Sequence, residues 1–308
     1  MSLFRSLSVR VLASFLAAAS LGLAADPVPP MKKVLFFSRS AGFEHGVISY
    51  KNGRPSFAEK ILAKLAPEHG LAFTFSKDGS LFTPEYLAQF DAIMFYTTGD
   101  LTAPGGDGQP AMTAAGKAAL FQAIENGKGF IGVHSATDTW ASPGSEVIDT
   151  VARYHNDGAA TSSYVRMLGG EFIRHDDQQV AKLTVVDPKF PGIAAVPNGL
   201  SLHEEWYSLK NLAPDMHALL VIDAPAMKGP SYKRPPYPVT WARQQGKGRV
   251  FYTALGHRED VWENPIFQSI LLGGLDWALG RVNADITPNL AQAAPQATTL
   301  PPVPPKAK

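Results

Sequence analysis

Short apolar runs alternate with amphipathic segments through the first half of this chain, and this alternation limits the fold more than any other feature. The predicted elements are buried strands at Lys33–Phe37, Leu71–Phe75, Asp91–Tyr96 and Gly129–Val133, with helices at Pro55–Leu65 and from Thr113 to Asn126. Thr113 is a plausible N-cap and Gly127 a C-terminal stop for the second helix. Strands that alternate with helices at this spacing predict an α/β fold with a mostly parallel sheet.

The second half of the sequence is less regular. The predicted elements are strands at Ala181–Val186 and Ala218–Ile222, a hairpin made by Pro238–Ala242 and Arg249–Ala254, and an amphipathic helix at Asn264–Leu279. No internal repeat is present. We therefore expect one folded domain over residues 31–283, with an insertion of mixed strands.

The N-terminal segment, residues 1–24, has the pattern of a secretory signal peptide. Arg5 and Arg10 supply a positive start, an apolar run covers residues 11–23, and small residues precede a cleavage point after Ala24. The run is too short to span about 30 Å of hydrocarbon comfortably. We expect a periplasmic or secreted protein that is not an integral membrane protein after cleavage.

The C-terminal segment, residues 284–308, is rich in Pro, Ala, Gln and Thr and has no evident apolar periodicity. Such a segment buries too little surface to offset the entropy lost on ordering. We expect it to be a disordered tail.

Composition excludes several functions. The formal net charge is +1, which gives no electrostatic reason to expect a nucleic-acid partner. The chain has no cysteine, so disulfides, Cys-ligated zinc, iron–sulfur clusters and a thiol nucleophile are excluded. Neither G-x-G-x-x-G after a strand nor a P-loop is present, so no nucleotide cofactor is expected. After these exclusions, the expected partner is a small molecule.

Polar side chains follow several of the predicted strands. His45 follows the first strand, His134, Asp138 and Trp140 follow the fourth, and His257 follows the late strand of the hairpin. Ligands of open parallel sheets bind at the carboxyl ends of the strands. Although a single histidine is as often structural as functional, the three together predict a pocket at this edge.

The segment GVHSA, residues 132–136, resembles a nucleophile elbow, the sharp strand-to-helix turn that exposes one side chain above a sheet. His134 stands where serine or cysteine would stand. It is a candidate general base, metal ligand or hydrogen-bond partner of a substrate. Asp138 could orient it if the intervening turn is helical. Ser135 is the weaker candidate for a nucleophile because it lies one position past the tip.

The segment HEEWY, residues 203–207, is a second candidate. Glu205 and Tyr207 would share a face if the segment is extended, and an aromatic ring beside a carboxylate suits sugar binding. The alternative is an aromatic core residue beside a solvated acid. His175, in the segment GGEFIRHDD, is a further candidate.

Six segments carry a resemblance to a known family. In chain order they are FFSRSAGFEHGVI, DAIMFYTTGDL, GKGFIGVHSATDTW, MLGGEFIRH, HEEWY and GKGRVFYTALGHREDVWENPIFQSILLGGLDWALG. Together they resemble the ThuA-like (trehalose utilisation) domain from about residue 32 to 281. The resemblance implies a flavodoxin-like α/β sandwich, similar to class I glutamine amidotransferases. Those enzymes have a catalytic cysteine at the elbow, where this chain has His134, so amidotransferase activity is not implied.

The resemblance also implies a role in disaccharide or glycoside catabolism, because ThuA-like proteins are often found alongside oxidoreductases that form 3-keto sugars. The predicted catalytic residues are His134, Asp138, Glu205 and His257, and the predicted substrate-binding residues are His45, Trp140, His175 and Tyr207. His134 would be a base, and His257 an acid or the group that polarises a carbonyl.

Three interpretations remain open. The first is a lyase, hydrolase or isomerase acting on a sugar derivative, either by acid–base chemistry or with a divalent metal held by some of His45, His134, Glu205 and His257. The second is a non-catalytic carbohydrate-binding or accessory protein that uses the same pocket. The third is a scaffold whose tail matters more than its pocket.

Overall fold

A nine-stranded sheet forms the centre of the fold, and its parallel half collects the predicted strand ends at one edge. The structure is a computed structural model that describes residues 31–148 and 150–303. The signal peptide predicted for residues 1–24 lies outside the described residues.

The strands are β1 (Lys32–Phe37), β2 (Leu71–Ser76), β3 (Ala92–Phe95), β4 (Gly129–Val133), β5 (Glu171–Arg174), β6 (Gln179–Val185), β7 (Ser201–Glu204), β8 (Ser208–Lys210), β9 (His217–Ile222), β10 (Tyr237–Gln245) and β11 (Gly248–Thr253). The helices are α1 (Phe57–Leu65), α2 (Pro84–Leu87), α3 (Ala114–Glu125), α4 (Ser163–Leu168), α5 (Glu259–Glu263), α6 (Pro265–Ala278) and α7 (Leu290–Ala293). None of these described helices is long and apolar enough to cross a membrane.

The strand order in the main sheet is β2-β1-β3-β4-β11-β10-β9-β6-β7. The pairings from β2 to β11 are parallel, whereas those from β11 to β7 are antiparallel. β5 and β8 pair separately as a short antiparallel ribbon. The predicted α/β fold with a parallel centre and a late hairpin is confirmed, and from Met31 onward the chain forms one compact unit.

Local sequence explains the main elements. All five residues of β4 are buried, as expected of a central strand covered on both faces. Thr113 caps α3 as predicted, because its side chain accepts a hydrogen bond from the Gly116 N–H. A Cβ at Gly132 would lie 2.8 Å from a Leu168 methyl group, so this glycine lets α4 pack directly beneath the turn that follows β4.

The segment after residue 284 differs from the expected disordered tail. Leu290, Ala294 and Ala297 are buried within the core cluster. Leu290 begins α7, and Ala294 and Ala297 follow it in the turn beyond the helix. The Asn289 side chain bonds both backbone groups of Ala218 in β9. The average composition of the segment did not indicate that three of its apolar residues pack against the core. The ordered chain therefore continues past residue 283.

A buried polar network fixes the chain that follows the β4 turn. The Lys210 ammonium lies 2.7 Å from Asp157 Oδ2 and 3.8 Å from Glu171 Oε1. Glu171 also accepts bonds from the backbone N–H of Ser142, at 3.0 Å, and from Asn211 Nδ2, at 2.7 Å. The network therefore ties the 142–157 segment to the β5–β8 ribbon, and each buried charge has an opposite partner.

Replacing Lys210 should show how much stability depends on this network. Lys210→Met leaves two buried carboxylates without their cation, which costs about 3–5 kcal/mol of unfolding free energy. Urea denaturation of Lys210→Met and of the exposed control Lys233→Met measures the difference, with the control expected within about 0.5 kcal/mol of wild type. A cost below about 1 kcal/mol for Lys210→Met would contradict a buried, paired ammonium.

Candidate functional site

His134 occupies the tip of a strained turn directly after β4. Its backbone φ is 44°, in the left-handed region that non-glycine residues rarely adopt. The ring Nδ1 lies 2.9 Å from the Ala254 carbonyl oxygen, and the Tyr252 hydroxyl donates to the His134 carbonyl at 2.8 Å. Since a carbonyl only accepts, Nδ1 carries a proton and the neutral ring has its lone pair on Nε2. The predicted elbow is therefore present, and it is built around histidine.

The Glu205 carboxylate lies at the centre of the site. Its Oε2 is 3.0 Å from His257 Nδ1, 3.3 Å from His134 Nε2 and 3.7 Å from His45 Nε2. Its Oε1 is 3.5 Å from His175 Nδ1. Glu205 is only 7% exposed, so the alternative of a solvated acid is wrong. We call His45, His134, Glu205 and His257 the His/Glu cluster.

Different parts of the sheet supply the four members of the His/Glu cluster. His45, His134 and His257 follow β1, β4 and β11, which are all strands of the parallel half. Their carboxyl ends meet at one edge, as the sequence predicted. Glu205 follows β7, which lies at the outer edge of the antiparallel half, and the chain returns from there to the centre.

Two tyrosines hold the returning segment in place. The Tyr232 hydroxyl donates to the Trp206 carbonyl at 2.7 Å, and the Tyr237 hydroxyl donates to the Tyr207 carbonyl at 3.0 Å. Both tyrosines are buried. No local pattern in the sequence indicated either residue, because the contacts join segments about 30 residues apart.

Electrostatics favour an ionised Glu205 carboxylate beside a neutral His45 imidazole. Burial opposes ionisation of Glu205, but its interactions with the His134, His257 and His45 rings outweigh burial and lower the pKa of the carboxyl. Burial lowers the pKa of His45 to about 3, although Glu205 acts in the opposite direction. His45 is therefore a neutral imidazole at ordinary pH, with a lone pair to donate.

One contact in the cluster needs a positive charge. Neutral His134 presents the Nε2 lone pair to an anionic oxygen of Glu205 at 3.3 Å, and two acceptors do not attract each other. Within the described residues, His45 Nδ1, His134 Nε2 and His257 Nδ1 are buried with no hydrogen-bond partner. Either an added proton on His134 or a cation between the two groups would make the contact favourable.

The His/Glu cluster also has the dimensions of a metal centre. One ligand atom from each of the four residues lies within 4.8 Å of the others. Tetrahedral bonds of about 2.0–2.1 Å place ligand atoms about 3.3 Å apart, close to the distances from Glu205 Oε2 to the histidine nitrogens. The bond from His134 Nδ1 to the Ala254 carbonyl is the outer contact that metal-binding histidines usually make. Imidazole and carboxylate together suit zinc, iron, nickel or manganese.

Glu204 supports the cluster from behind, and the sequence analysis missed it. Its Oε2 accepts the backbone N–H groups of Gly256, at 2.9 Å, and His257, at 3.1 Å. Its Oε1 accepts the N–H of Glu205 at 2.7 Å. Burial raises the pKa of Glu204, although these bonds and His134 act to lower it. Glu204 thus joins the two segments that carry Glu205 and His257.

Two of the predicted substrate-binding residues, Tyr207 and His175, lie at the His/Glu cluster. The Tyr207 hydroxyl is 3.2 Å from His45 Nε2, and the Tyr207 ring lies 4.4 Å from the His134 ring. The rings of His175 and Tyr207 are stacked, with centroids 5.7 Å apart. The expectation that Glu205 and Tyr207 face the same site is met.

Asp138 does not orient His134, contrary to the prediction. Its Oδ1 lies 3.2 Å from Arg153 Nη1, and the Ala254 carbonyl takes the orienting role instead. The turn His134–Asp138 is a 3₁₀-helix, in which residues four apart do not share a face. Trp140 is also outside the cluster, since its indole N–H donates to Asp100.

Comparisons with known proteins agree with this geometry. The model of the ThuA family, described as trehalose utilisation, matches residues 33–278. Two solved structures of ThuA-like proteins are similar to this chain. The one from Bacteroides uniformis ATCC 8492 is 19% identical, covering 83% of this chain and 95% of that one, with a TM-score of 0.58. The one from Parabacteroides merdae ATCC 43184 is 17% identical, covering 83% and 93%, with a TM-score of 0.54.

At these identities the structural likeness shows the fold, and it confirms the predicted flavodoxin-like, glutamine amidotransferase-like α/β class. No curated protein sequence matches the chain significantly. Because the family model covers most of the sequence, the chain belongs to the ThuA (trehalose utilisation) family.

Proposed function

We propose that this protein is an enzyme of carbohydrate catabolism that binds a divalent metal through His45, His134, Glu205 and His257. Family membership supports the carbohydrate-related role. The observation that carries the metal is the 3.3 Å contact between two acceptor atoms, His134 Nε2 and Glu205 Oε2. A cation resolves this contact without a doubly protonated, buried histidine.

A cavity of about 820 Å³ opens onto Glu205 and would admit the substrate. Its lining includes His175, Asp176, Gln178, Glu205 and Lys228, and we call it the entrance cavity. The volume lies in the usual range for small-molecule sites, and the polar lining suits a hydroxylated ligand.

Sugar derivatives that contain a carbonyl group, such as 3-keto-glycosides, fit this arrangement. A ketone at C3 makes the C2–H acidic, and loss of that proton starts either elimination of the C1 substituent or isomerisation. A bound divalent cation supplies a Lewis acid for the carbonyl oxygen. With His134 as a ligand, the role of base passes to His175, whose side chain is 40% exposed. Its Nδ1 lies 3.0 Å from the Asp176 carbonyl oxygen, which leaves a lone pair on Nε2.

One contact favours metal-free acid–base catalysis as a second candidate. Arg258 donates to Gln178 Oε1 at 2.7 Å, so the Gln178 NH2 group faces His257 Nε2 at 2.9 Å. This arrangement puts the His257 proton on Nδ1, directed at Glu205, as in an acid–base pair. Metal binding at Nδ1 would require that proton to leave and the Gln178 amide to turn.

We also propose that the protein is exported, on the strength of the signal-peptide pattern in residues 1–24. Expression of the full chain with its own leader should yield a periplasmic or secreted protein whose N-terminus is Ala25. N-terminal sequencing of fractionated cells measures this. An intact Met1 in the cytoplasmic fraction would contradict the proposal.

Metal content is the most direct test of the centre. Tag-free wild type, equilibrated with zinc and then dialysed, should hold about one ion per chain, because four ligands converge. His134→Ala and Glu205→Gln should lose it, whereas the exposed control His203→Ala should retain it. Elemental analysis and thermal melts on the same samples separate loss of metal from loss of fold.

Measurements of turnover then distinguish metal-dependent catalysis, metal-free acid–base catalysis and carbohydrate binding without catalysis. Trehalose, other disaccharides and their 3-keto forms would be incubated with each protein and the products followed by mass spectrometry. Metal-dependent product formation supports the proposal. Turnover by a metal-free wild type that is lost in His257→Ala favours acid–base catalysis. Binding without any product contradicts an enzyme and favours the carbohydrate-binding alternative.

Glu204 should affect the zinc affinity of the His/Glu cluster although it is not one of the proposed metal ligands. Glu204→Gln replaces one accepting oxygen by a donor that faces backbone N–H groups, which displaces the segment that carries His257. Zinc affinity should fall about 10–100-fold. Competition with a chelator measures this against the exposed control Glu263→Gln, which should bind as wild type. Wild-type affinity in a folded Glu204→Gln protein would contradict the positioning role.

A further inference from the structure

We propose that a second cavity beside the His/Glu cluster binds the second sugar ring of a glycoside whose first ring lies at the cluster. The cavity has a volume of about 610 Å³. Its lining includes Phe43, Asp100, Asp138, Trp140 and Arg153, and we call it the side cavity. This inference rests on the proposed function and extends it from a sugar to a disaccharide-sized substrate.

The side cavity adjoins the cluster through two short chain segments. Phe43 precedes His45 by two residues, and the two rings meet edge to face with centroids 5.0 Å apart. Asp138 and Trp140 lie at the end of the turn that begins at His134. The Gly99 N–H donates to the Asp138 carbonyl, and the Trp140 N–H donates to the Gly99 carbonyl, which fixes this wall. Phe43 in the wall of the side cavity therefore contacts His45 of the cluster.

Charge favours a neutral ligand in the side cavity. The lining carries three carboxylates and three cations, namely Asp100, Asp138 and Glu146 with Lys117, Arg153 and Arg166. A site for a phosphate or another anion would have a surplus of cations. Balanced charges that offer both donors and acceptors suit the hydroxyl groups of an uncharged sugar.

The Asp138–Arg153 pair places a carboxylate and a guanidinium group in the lining of the side cavity. Arg153 is 2% exposed, and both of its terminal nitrogens lie 3.2 Å from Asp138 Oδ1. Among the described residues, Arg153 Nε is buried and has no hydrogen-bond partner. Burial raises the pKa of Asp138 to about 6, although Arg153 acts to lower it. The Asp138 carboxylate, whose side chain is 15% exposed, can accept hydrogen bonds from ligand hydroxyl groups.

Aromatic and aliphatic surfaces complete the side cavity. Phe43 is 69% exposed and Ile148 is 51% exposed, so both present apolar surface to the side cavity. Trp140 is 5% exposed and has a backbone φ of 45°, which costs conformational energy as it does at His134. An exposed aromatic ring at the wall of a polar cavity offers a stacking surface for the C–H face of a sugar ring.

The inference is tested by comparing the binding of a disaccharide with that of a glycoside that has a single sugar ring. Isothermal titration calorimetry would compare trehalose with methyl α-glucoside, and the 3-keto form of each, against the zinc-loaded mature protein. Wild type should bind the disaccharide more tightly than the glucoside. Phe43→Ala and Asp138→Asn should each weaken disaccharide binding about tenfold, the loss expected for one good contact, and leave glucoside binding unchanged.

Two control variants match the Phe43 substitution. Phe43→Tyr retains the ring and should bind the disaccharide as wild type. Leu81→Ala removes another exposed apolar side chain that does not line the side cavity, and it should have no effect on either ligand. Because Phe43 is largely exposed, Phe43→Ala is not expected to disturb folding.

The other possible results of the titrations distinguish failure of the side-cavity inference from failure of the proposed function. Equal wild-type affinity for the two ligands, unchanged disaccharide binding in Phe43→Ala, or an equal loss for both ligands overturns the side cavity and leaves the proposed function standing. If wild type binds none of the four sugars, the proposed function fails and this inference fails with it.

Discussion

The buried carboxylate of Glu205 is the interaction on which the rest of the site depends. An anion removed from water is costly unless opposite charge or hydrogen bonds compensate for it. Here the surrounding atoms are nitrogens of His45, His134 and His257, 3.0–3.7 Å away. These histidines come from three strand ends, so whatever compensates Glu205 also holds three loops together. The contacts of one oxygen atom therefore connect three loops of the fold.

The fold supplies rigid support for this contact. β4 ends in a strained turn that fixes His134, and the Ala254 carbonyl at the end of β11 sets which nitrogen faces Glu205. Glu204 joins the segments of Glu205 and His257 through backbone N–H groups. Backbone strain such as the positive φ of His134 persists only where the surrounding contacts hold the residue in place, and it is common at functional sites. The elbow of a nucleophilic enzyme is here used to present an imidazole.

Two cavities adjoin the cluster, and their linings differ. The entrance cavity exposes His175 and Glu205, whereas the side cavity has balanced charges and the exposed ring of Phe43. A disaccharide-sized substrate, with one ring that reacts and a second ring that does not, would use both cavities. Asp138, at the end of the 3₁₀ turn that begins at His134, and Trp140, two residues further on, line the side cavity and do not belong to the cluster.

The sequence by itself predicted eight of the eleven described strands, all except β5, β7 and β8, together with helices α1, α3 and α6 and the loops that carry His45, His134 and His257. Periodicity is local, and a parallel sheet brings the ends of its strands together whatever the details of packing. Only the tertiary structure decided that Glu205 returns from β7 to the centre, that Asp138 pairs with Arg153, and that Leu290 packs against the core. Each of these depends on a contact between segments distant in the chain, and no spacing within one segment encodes which distant partner a side chain meets.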